Sequence, residues 1–265
     1  MNEPAELRHD LIEEQRALDA VVADLDDAQW RSSTPSPGWD VADQIGHLAY
    51  FDAAAALSIS DPPAYLENVR VLAKRSQNES PEVFTLDEFQ TMTPSQVLER
   101  RRENRAALAT AAANLDDRTR VDWFGRAMSG RSFLTARLME TWAHGTDVAD
   151  TVGAHLPATN RLRHIAHLGF ITRAWSYRVR GEEPPSGDLR VELVGPSGDV
   201  WTFGPADGVE IVSGPAEDFC LVTTQRRHLD DTGLVTGPLG REWLVRAQAF
   251  AGPATDGPPP SKATP

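Results

Sequence analysis

The 265-residue sequence contains a single cysteine, Cys220, and only two lysines among its 26 basic residues. One cysteine cannot form an intramolecular disulfide, and it cannot supply the several thiolates of a zinc-finger type of site. Cys220 lies in the apolar run FCLV, where most cysteines are buried packing residues, so we do not expect it to act as a nucleophile. A disulfide-stabilised fold and a zinc-finger fold are therefore excluded.

Positive charge and long apolar runs are also scarce. The formal net charge is -13 at pH 7, which argues against nucleic acid or an anionic lipid surface as a partner. No apolar run approaches the length of a membrane span. The first residues, MNEPAELRHDLIEEQ, are acidic and amphipathic, unlike a secretory signal. We therefore expect a cytoplasmic globular protein, monomeric or homodimeric, that binds neither nucleic acid nor membrane.

Helical periodicity dominates the first part of the chain. The spacing of apolar residues predicts four long helices, over residues 6–27, 41–59, 93–115 and 132–152. Asp40 is suited to cap the second helix, and Thr93 begins a capping box for the third. The segment 60–92 is predicted to be mixed, and 123–132 is predicted to be a loop. Together these features predict an N-terminal helical bundle over 1–155.

Beyond residue 155 the pattern changes from long helices to short alternating segments. A fifth helix is predicted over 160–180. Three stretches then alternate like short strands, LRVELVG, DVWTFGP and GVEIVSG, and two later segments are helical again. These features predict a smaller α+β domain over 156–251. The polar, proline-rich residues 252–265 are predicted to form a disordered tail.

The stretch METWAHGTD places Glu140 and His144 four residues apart in the fourth predicted helix. Side chains at that spacing lie on one face of a helix. His47 lies beside the apolar stripe of the second helix, so in a bundle it can meet Glu140 and His144 in the interior. Two histidines and one glutamate are the protein ligands of many catalytic zinc sites, and they leave coordination positions open. The same spacing also fits an ordinary surface or core hydrogen-bonded pair.

Several other residues are candidates for a supporting or competing role. His164 and His167 lie three residues apart in the fifth helix, where they can line the site or replace a ligand. Asp43 and Asp147 are spaced to orient the imidazoles through their second ring nitrogens, or else to cap a helix or face solvent. We expect two tryptophans near the motifs to pack in the core, Trp39 and Trp142. Three arginines are candidates for binding carboxylates, Arg226, Arg241 and Arg246.

Two motifs in combination resemble the mycothiol-dependent maleylpyruvate isomerase family, within the DinB-like superfamily. They are PGWDVADQIGHLAYFD and, about ninety residues later, METWAHGTDVAD. The resemblance implies an N-terminal four-helix bundle whose metal is held by His47, Glu140 and His144, and a C-terminal α+β domain related to sterol-carrier folds. In that domain GPAEDFCLVTTQRR resembles a stretch that usually ends in Gly-Arg. Arg226 is therefore carried over as a catalytic residue of the substrate site, with Gln225 where glycine is common.

The resemblance implies a metal-dependent enzyme that uses a low-molecular-weight thiol, mycothiol, on an electrophilic small molecule. In the isomerase the thiolate adds to an activated double bond, the bond rotates, and the thiolate leaves. In related transferases the thiolate displaces a leaving group and stays attached. A divalent cation, zinc being the first expectation, binds thiolate and lowers the pKa of the thiol. Two alternatives stay open: a thiol-independent metallo-hydrolase or isomerase of the same fold, and a metal- or ligand-binding protein without catalysis.

Overall fold

The structure, a computed structural model, describes residues 3–77 and 85–261. The chain divides into two compact units, Met1–Leu156 and Pro157–Pro265. The first unit consists of helices and one short hairpin, and the second combines helices with a three-stranded sheet. The predicted α+β class is therefore confirmed. Within the described part of the chain, no helix combines the length and the apolar character needed to cross a membrane.

Helices form most of the regular structure described in the first unit. In chain order they are α1 (Glu3–Val22), α2 (Asp27–Trp30), α3 (Val41–Ser60), α4 (Pro62–Arg75), α5 (Pro94–Ala112) and α6 (Gly130–Val152), with a 3₁₀ turn at Phe89–Thr91. Helix α3 packs against α5 and α6, and α1 also packs against both of these helices. The four long helices predicted from the sequence are therefore present and pack on one another.

Two of these helices begin with the predicted capping chemistry. The Asp40 carboxylate accepts a hydrogen bond from the backbone N–H of Asp43, and the Asp43 carboxylate accepts one from the backbone N–H of Asp40. Thr93 and Gln96 form the same reciprocal pair at the start of α5, with Pro94 at the first helical position. Each pair satisfies two backbone N–H groups that have no partner inside the helix. Both predicted helix starts are confirmed.

Helix α3 is held tightly on either side of His47. Ile45 and Leu48 have no exposed surface and belong to one core cluster with residues of α1 and α5. At Gly46 the ring of Phe89 approaches the backbone so closely that an added Cβ would lie 2.9 Å from it. Because a side chain at this position would displace the ring, the close approach of Phe89 to α3 depends on glycine. This packing fixes the backbone from which the His47 side chain projects.

The segment 123–132 differs from the prediction of a loop. It contains most of a β-hairpin, whose strands β1 (Arg120–Trp123) and β2 (Arg126–Ser129) pair antiparallel. Phe124 and Gly125 form the turn, with positive φ angles of 40° and 84°. The loop prediction was wrong because each strand has only four residues. Arg120–Trp123 alternates polar and apolar residues but over too short a stretch to be recognised, and Arg126–Ser129 does not alternate.

Part of the segment predicted to be mixed, 60–92, is one regular helix, α4. It begins with two prolines, which are tolerated in the first turn because the N–H groups there have no helical partner. The Asp61 carboxylate accepts a hydrogen bond from the backbone N–H of Ala64 and so caps the helix. Residues 78–84 of this segment lie outside the described residues.

The second unit contains a three-stranded sheet and several short helices. Its elements are α7 (Leu162–Ile171), α8 (Arg173–Arg178), β3 (Leu189–Val194), β4 (Val200–Phe203), β5 (Glu210–Pro215), α9 (Ala216–Thr223) and α10 (Pro238–Leu244), with a 3₁₀ turn at Leu229–Asp231. Strand β3 is central, antiparallel to β4 and parallel to β5. All three predicted strands are confirmed. The predicted helix over 160–180 is interrupted at Thr172, whose hydroxyl donates to the carbonyl of Leu168.

Cys220 lies fully buried in α9, where its thiol is 3.6 Å from the carbonyl oxygen of Leu162. Burial raises the pKa of the Cys220 thiol well above its usual value, because the charged thiolate is poorly solvated there. A thiol with a raised pKa and no access to solvent is a poor nucleophile. The expectation that Cys220 serves in packing agrees with this environment.

The segment after α10 has no helix or strand over 252–261. Thr255 connects it to the rest of the second unit: its backbone N–H donates to the side-chain oxygen of Gln248 at 3.2 Å, and its hydroxyl donates to the side-chain oxygen of Gln225 at 2.8 Å. The last residues of the predicted tail, 262–265, lie outside the described residues.

Candidate metal centre

The structure brings His47, Glu140 and His144 together. His47 projects from α3, while Glu140 and His144 lie one turn apart on α6, which packs against α3. Oε2 of Glu140 lies 3.2 Å from Nε2 of His144 and 3.9 Å from Nε2 of His47. One potential ligand atom from each residue lies within 4.8 Å of the other two. Their role as metal ligands stays a prediction.

The geometry of the three atoms suits a single cation. Two ligands bound at about 2.1 Å from one zinc ion with tetrahedral angles lie about 3.4 Å apart. The two imidazole nitrogens lie 3.2 and 3.9 Å from Oε2 of Glu140, and one potential ligand atom from each residue lies within 4.8 Å of the other two, so modest side-chain rotations would bring all three into contact with one ion. Two imidazole nitrogens and one carboxylate oxygen also match the donor types of catalytic zinc sites. The residues present therefore fit a divalent cation.

The protonation states of the site also match those of metal ligands. Burial lowers the pKa of His47 to about 4, because the imidazolium form loses solvation. Burial opposes ionisation of Glu140, but the favourable interactions of its carboxylate with the neighbouring His144 and His47 outweigh it and hold the pKa of Glu140 well below its usual value. At neutral pH the site thus contains a neutral His47 and a Glu140 carboxylate, the forms that bind metal.

Aromatic rings enclose part of the centre. Trp39 lies with its ring centroid 5.0 Å from that of His47 and 6.0 Å from that of His144, and Phe51 lies 4.6 Å from His47. Trp39 was predicted to pack in the core, but it is only partly buried and contacts both imidazoles. The prediction for Trp142 is confirmed, since that side chain is buried. The site therefore has an apolar wall on the side of the two histidines.

The second ring nitrogen of His144 is hydrogen-bonded to a residue that is not among the candidates predicted from the sequence. Nδ1 of His144 is hydrogen-bonded to Oε1 of Gln44, a fully buried residue on α3. Asp147, one candidate for this role, has its nearest carboxylate oxygen 3.9 Å from Nδ1, too far for a hydrogen bond. Asp43, the candidate for His47, is used in the α3 cap instead. A polar side chain three positions before His47 on an otherwise apolar face was the available signal.

A buried ion pair lies next to the centre on the same two helices. Arg137 of α6 donates from Nη2 to the Asp52 carboxylate of α3 at 2.9 Å, and Gln15 donates to the other oxygen of Asp52 at 3.0 Å. Arg137 lies one turn before Glu140 on α6, and Asp52 follows His47 on α3. The ion pair thus joins the two helices that supply the three clustered side chains.

The remaining predicted site residues belong to the second unit. His164 and His167 lie on α7, and the His167 ring is 5.9 Å from the ring of Phe203. Neither is part of the group of three, which the first unit forms by itself. Gln225 has a positive φ of 62°, a conformation that glycine adopts more readily than any other residue. This agrees with the expected Gly-Arg pattern, in which glycine stands at this position. Arg226 follows it, and its role stays a prediction.

Arg241 and Arg246 each have a carboxylate partner within the second unit. Nη2 of Arg241 lies 2.6 Å from the Asp230 carboxylate, and Nε of Arg246 lies 3.2 Å from that of Glu182. These ion pairs occupy part of the hydrogen-bonding capacity of both guanidinium groups. A role for either arginine in binding a substrate carboxylate would therefore require it to exchange or share its present partner.

We expect the metal-free protein to lose stability as the pH falls, because of His47. Its pKa is about 4 in the folded protein and 6.5 at the ordinary value expected for the unfolded chain. Between these two values the unfolded state binds more protons, so the free energy of unfolding decreases from pH 7 to pH 4.5, by about 2 kcal/mol. Urea unfolding with a chelator present, compared between the natural protein and His47→Gln, measures this contribution. An equal pH dependence in both proteins would contradict it.

Comparison with known proteins gives one consistent set of relatives. The sequence profile of the mycothiol maleylpyruvate isomerase N-terminal domain matches residues 11–149. Two Mycobacterium tuberculosis proteins, Uncharacterized protein MT0041 of strain CDC 1551 / Oshkosh and Uncharacterized protein Rv0036c of strain H37Rv, are each 42% identical over 254 residues, which cover 96% of this chain and 98% of theirs. Crystal structures of the mycothiol-dependent maleylpyruvate isomerase and of a mutant of it have TM-scores of 0.58 and 0.57. They are 18% identical over 88% of this chain and 92% of theirs, so the match shows a shared fold.

Proposed function

This chain belongs to the mycothiol maleylpyruvate isomerase N-terminal domain family, and we propose that it is a metal-dependent enzyme that uses mycothiol on an electrophilic small molecule. The observation that supports this most directly is the convergence of His47, Glu140 and His144 from two packed helices. A solved structure that shares the fold is that of the mycothiol-dependent maleylpyruvate isomerase. The proposed reaction is isomerisation or S-transfer. Both begin with attack of the thiolate on the electrophile, so the same metal site would serve either reaction.

In this proposal the three clustered side chains hold the cation, and zinc is the first candidate because of the donor set. The bound cation would act as a Lewis acid that lowers the pKa of the cofactor thiol and so favours the thiolate at neutral pH. His47 is neutral and Glu140 ionised before any ligand arrives, so these two need not release protons to bind metal. The side chains of His47 and Glu140 are 18% and 26% exposed, which leaves the centre accessible from solvent.

Other residues of the chain determine how water, the nucleophilic sulfur and a carboxylate would take part in the proposed reaction. The rings of Trp39 and Phe51 lie against the imidazoles and exclude water from that side. The thiol of Cys220 is buried with a raised pKa, so the nucleophilic sulfur has to come from the cofactor. We propose Arg226 as the group that binds a carboxylate of the thiol or the substrate, because a guanidinium group recognises carboxylates with two parallel hydrogen bonds.

Titration of the metal-loaded protein with mycothiol tests the proposal. In the cobalt(II)-substituted protein, binding of a thiolate to the metal adds an intense charge-transfer absorption in the near ultraviolet. We expect saturable binding at millimolar or lower thiol concentration. The variant His155→Ala is a matched control, because it removes an exposed histidine outside the cluster and should bind thiol normally.

The possible results separate the three functions. Metal and thiol binding together support the proposed enzyme. Metal binding without any response to millimolar mycothiol would remove the thiol from the proposal and favour the thiol-independent metalloenzyme. A metal-loaded protein that binds thiol but converts no maleylpyruvate or other electrophile would favour a binding protein without catalysis.

A further inference from the structure

The loop before α3, residues 32–40, is fixed by backbone hydrogen bonds, and apart from the Trp39 ring it has no part in the function proposed above. The N–H of Thr34 donates to the carbonyl of Trp39 at 2.9 Å, and the N–H of Trp39 donates back to the carbonyl of Ser36 at 3.1 Å. A β-bridge joins Ser33 to Asp40, the residue that caps α3. The loop thus has one defined conformation, with two hydroxyl side chains held next to the first turn of α3.

These hydroxyls bind the amide of Gln44. Its Nε2 donates to Oγ1 of Thr34 at 2.8 Å and to Oγ of Ser36 at 3.0 Å. Its Oε1 faces Nδ1 of His144. Both protons and the oxygen of this amide therefore have partners, as a fully buried polar group requires.

The direction of each hydrogen bond is set from the loop outwards. The Thr34 hydroxyl donates its only proton to the carbonyl of Trp39 at 3.0 Å. It can therefore only accept from Gln44, which places the NH₂ group of the amide on the Thr34 side and the carbonyl oxygen on the His144 side. An amide oxygen only accepts, so Nδ1 of His144 must carry the proton.

His144 also has a competing tautomer, in which the proton is on Nε2 rather than on Nδ1. Oε2 of Glu140 lies 3.2 Å from Nε2 of His144 and can accept a hydrogen bond from an N–H at that position. In that tautomer Nε2 has no lone pair left for a metal ion, whereas a metal-binding imidazole needs its second nitrogen to donate elsewhere. The hydrogen bond to Gln44 stabilises the tautomer with a free lone pair on Nε2.

We propose that Gln44, oriented by Thr34 and Ser36, is a positioning residue that keeps His144 in the tautomer able to bind metal through Nε2. The inference rests on the proposed function only in assuming that His144 binds a metal ion. The tautomer of His144 is a property of the metal-free protein.

Two substitutions of similar size separate this role from a purely structural one. Gln44→Met keeps the shape of the side chain but removes the acceptor, and we expect zinc affinity to fall by about 10–100-fold, the usual effect of losing a partner of a metal-binding histidine. Gln44→Glu keeps an acceptor oxygen and should bind zinc within about threefold of the natural protein or more tightly. A structural role predicts the opposite order, because a buried carboxylate is harder to accommodate than a methionine.

The measurements are zinc affinity, by competition with a chromophoric chelator, and the His144 tautomer, by long-range ¹H–¹⁵N correlation spectra of the metal-free protein. The control is Gln248→Met, which removes another fully buried, hydrogen-bonded amide in the second unit and should leave zinc affinity unchanged. Nδ1 protonation in the natural protein, lost in Gln44→Met, supports the proposal.

A Gln44→Met variant with natural zinc affinity, or an Nε2-protonated His144 in the natural protein, would overturn the proposal. If the natural protein bound no zinc, the proposed function would fail, while the NMR spectra would still decide whether Gln44 fixes the tautomer.

Discussion

We expect that replacing any one of His47, Glu140 or His144 by alanine will remove most of the zinc that the natural protein takes up. Each residue contributes one of three atoms that lie within 4.8 Å of one another, so each variant keeps only two protein ligands. We expect zinc affinity to fall by at least about 100-fold, since residues that merely support a ligand already account for about 10–100-fold. Metal content after gel filtration and chelator competition for the three variants measure the loss.

His155→Ala is the control for this series, because it removes an exposed histidine outside the cluster. Zinc should raise the unfolding temperature of the natural protein and of His155→Ala, because a ligand that binds only the folded state stabilises it. That rise should be absent in the three ligand variants. Full metal content in all three of them would show that the ligand set is wrong.

Replacing Arg137 by methionine lowers the free energy of unfolding by about 3–5 kcal/mol. The side chains of Arg137 and Asp52 are 4% and 0% exposed, and two guanidinium nitrogens lie 2.9 and 3.3 Å from one oxygen of Asp52. Without Arg137 the Asp52 carboxylate keeps its hydrogen bond from Gln15 but loses the guanidinium group that is hydrogen-bonded to it. Urea unfolding of the metal-free protein, followed by circular dichroism of its helices, measures the change.

A second ion pair in the same unit provides a matched control. Arg102 binds Asp19 with two hydrogen bonds of 2.9 and 2.8 Å, but its side chain is 45% exposed. Arg102→Met should therefore cost no more than about 1 kcal/mol, because the Asp19 carboxylate keeps its second ion pair, with Arg105 at 3.1 Å. Adding Asp52→Asn to Arg137→Met should restore part of the lost stability, since it removes the buried carboxylate that has lost its hydrogen-bonded guanidinium group. Equal, small effects of Arg137→Met and Arg102→Met would contradict the prediction.

The Arg137 variant also has a consequence for the metal centre. Arg137 and Glu140 lie one turn apart on α6, and Asp52 lies on α3 together with His47. The ion pair therefore helps to fix the helix on which His47 lies relative to the helix that bears the other two side chains. Metal affinity should weaken in Arg137→Met even though Arg137 is not itself a candidate ligand, because the three atoms would be held less closely together.

Much of the helical part of the fold could be predicted from the sequence, because the signals are local. The capping box at Asp40 and Asp43, and the one at Thr93 and Gln96, each involve residues three positions apart, and both helices begin where those residues predict. The hairpin at 120–129 could not be predicted in the same way, since its pairing depends on a turn with two positive φ angles rather than on a periodic pattern.

In the candidate site, too, local relationships could be predicted from the sequence and long-range ones could not. Glu140 and His144 share a helix face because of their spacing, and that follows from the sequence. The partner of His144 Nδ1 does not follow from the sequence. Gln44 is 100 residues away in the chain, whereas Asp147, only three residues away, lies beyond hydrogen-bonding distance. A spacing rule favours neighbours in the chain, whereas the actual partner is selected by the packing of α3 on α6.

The helical periodicity, the helix caps, the short strands of the second unit and the residue types suited to hold a cation follow from the order of the amino acids. Which distant side chains meet follows from the packing of the helices: His47 with Glu140, Gln44 with His144, and Asp52 with Arg137. The physical reason is that backbone hydrogen bonding and capping act over a few residues, while the position of one helix on another is set by the packing of entire buried faces.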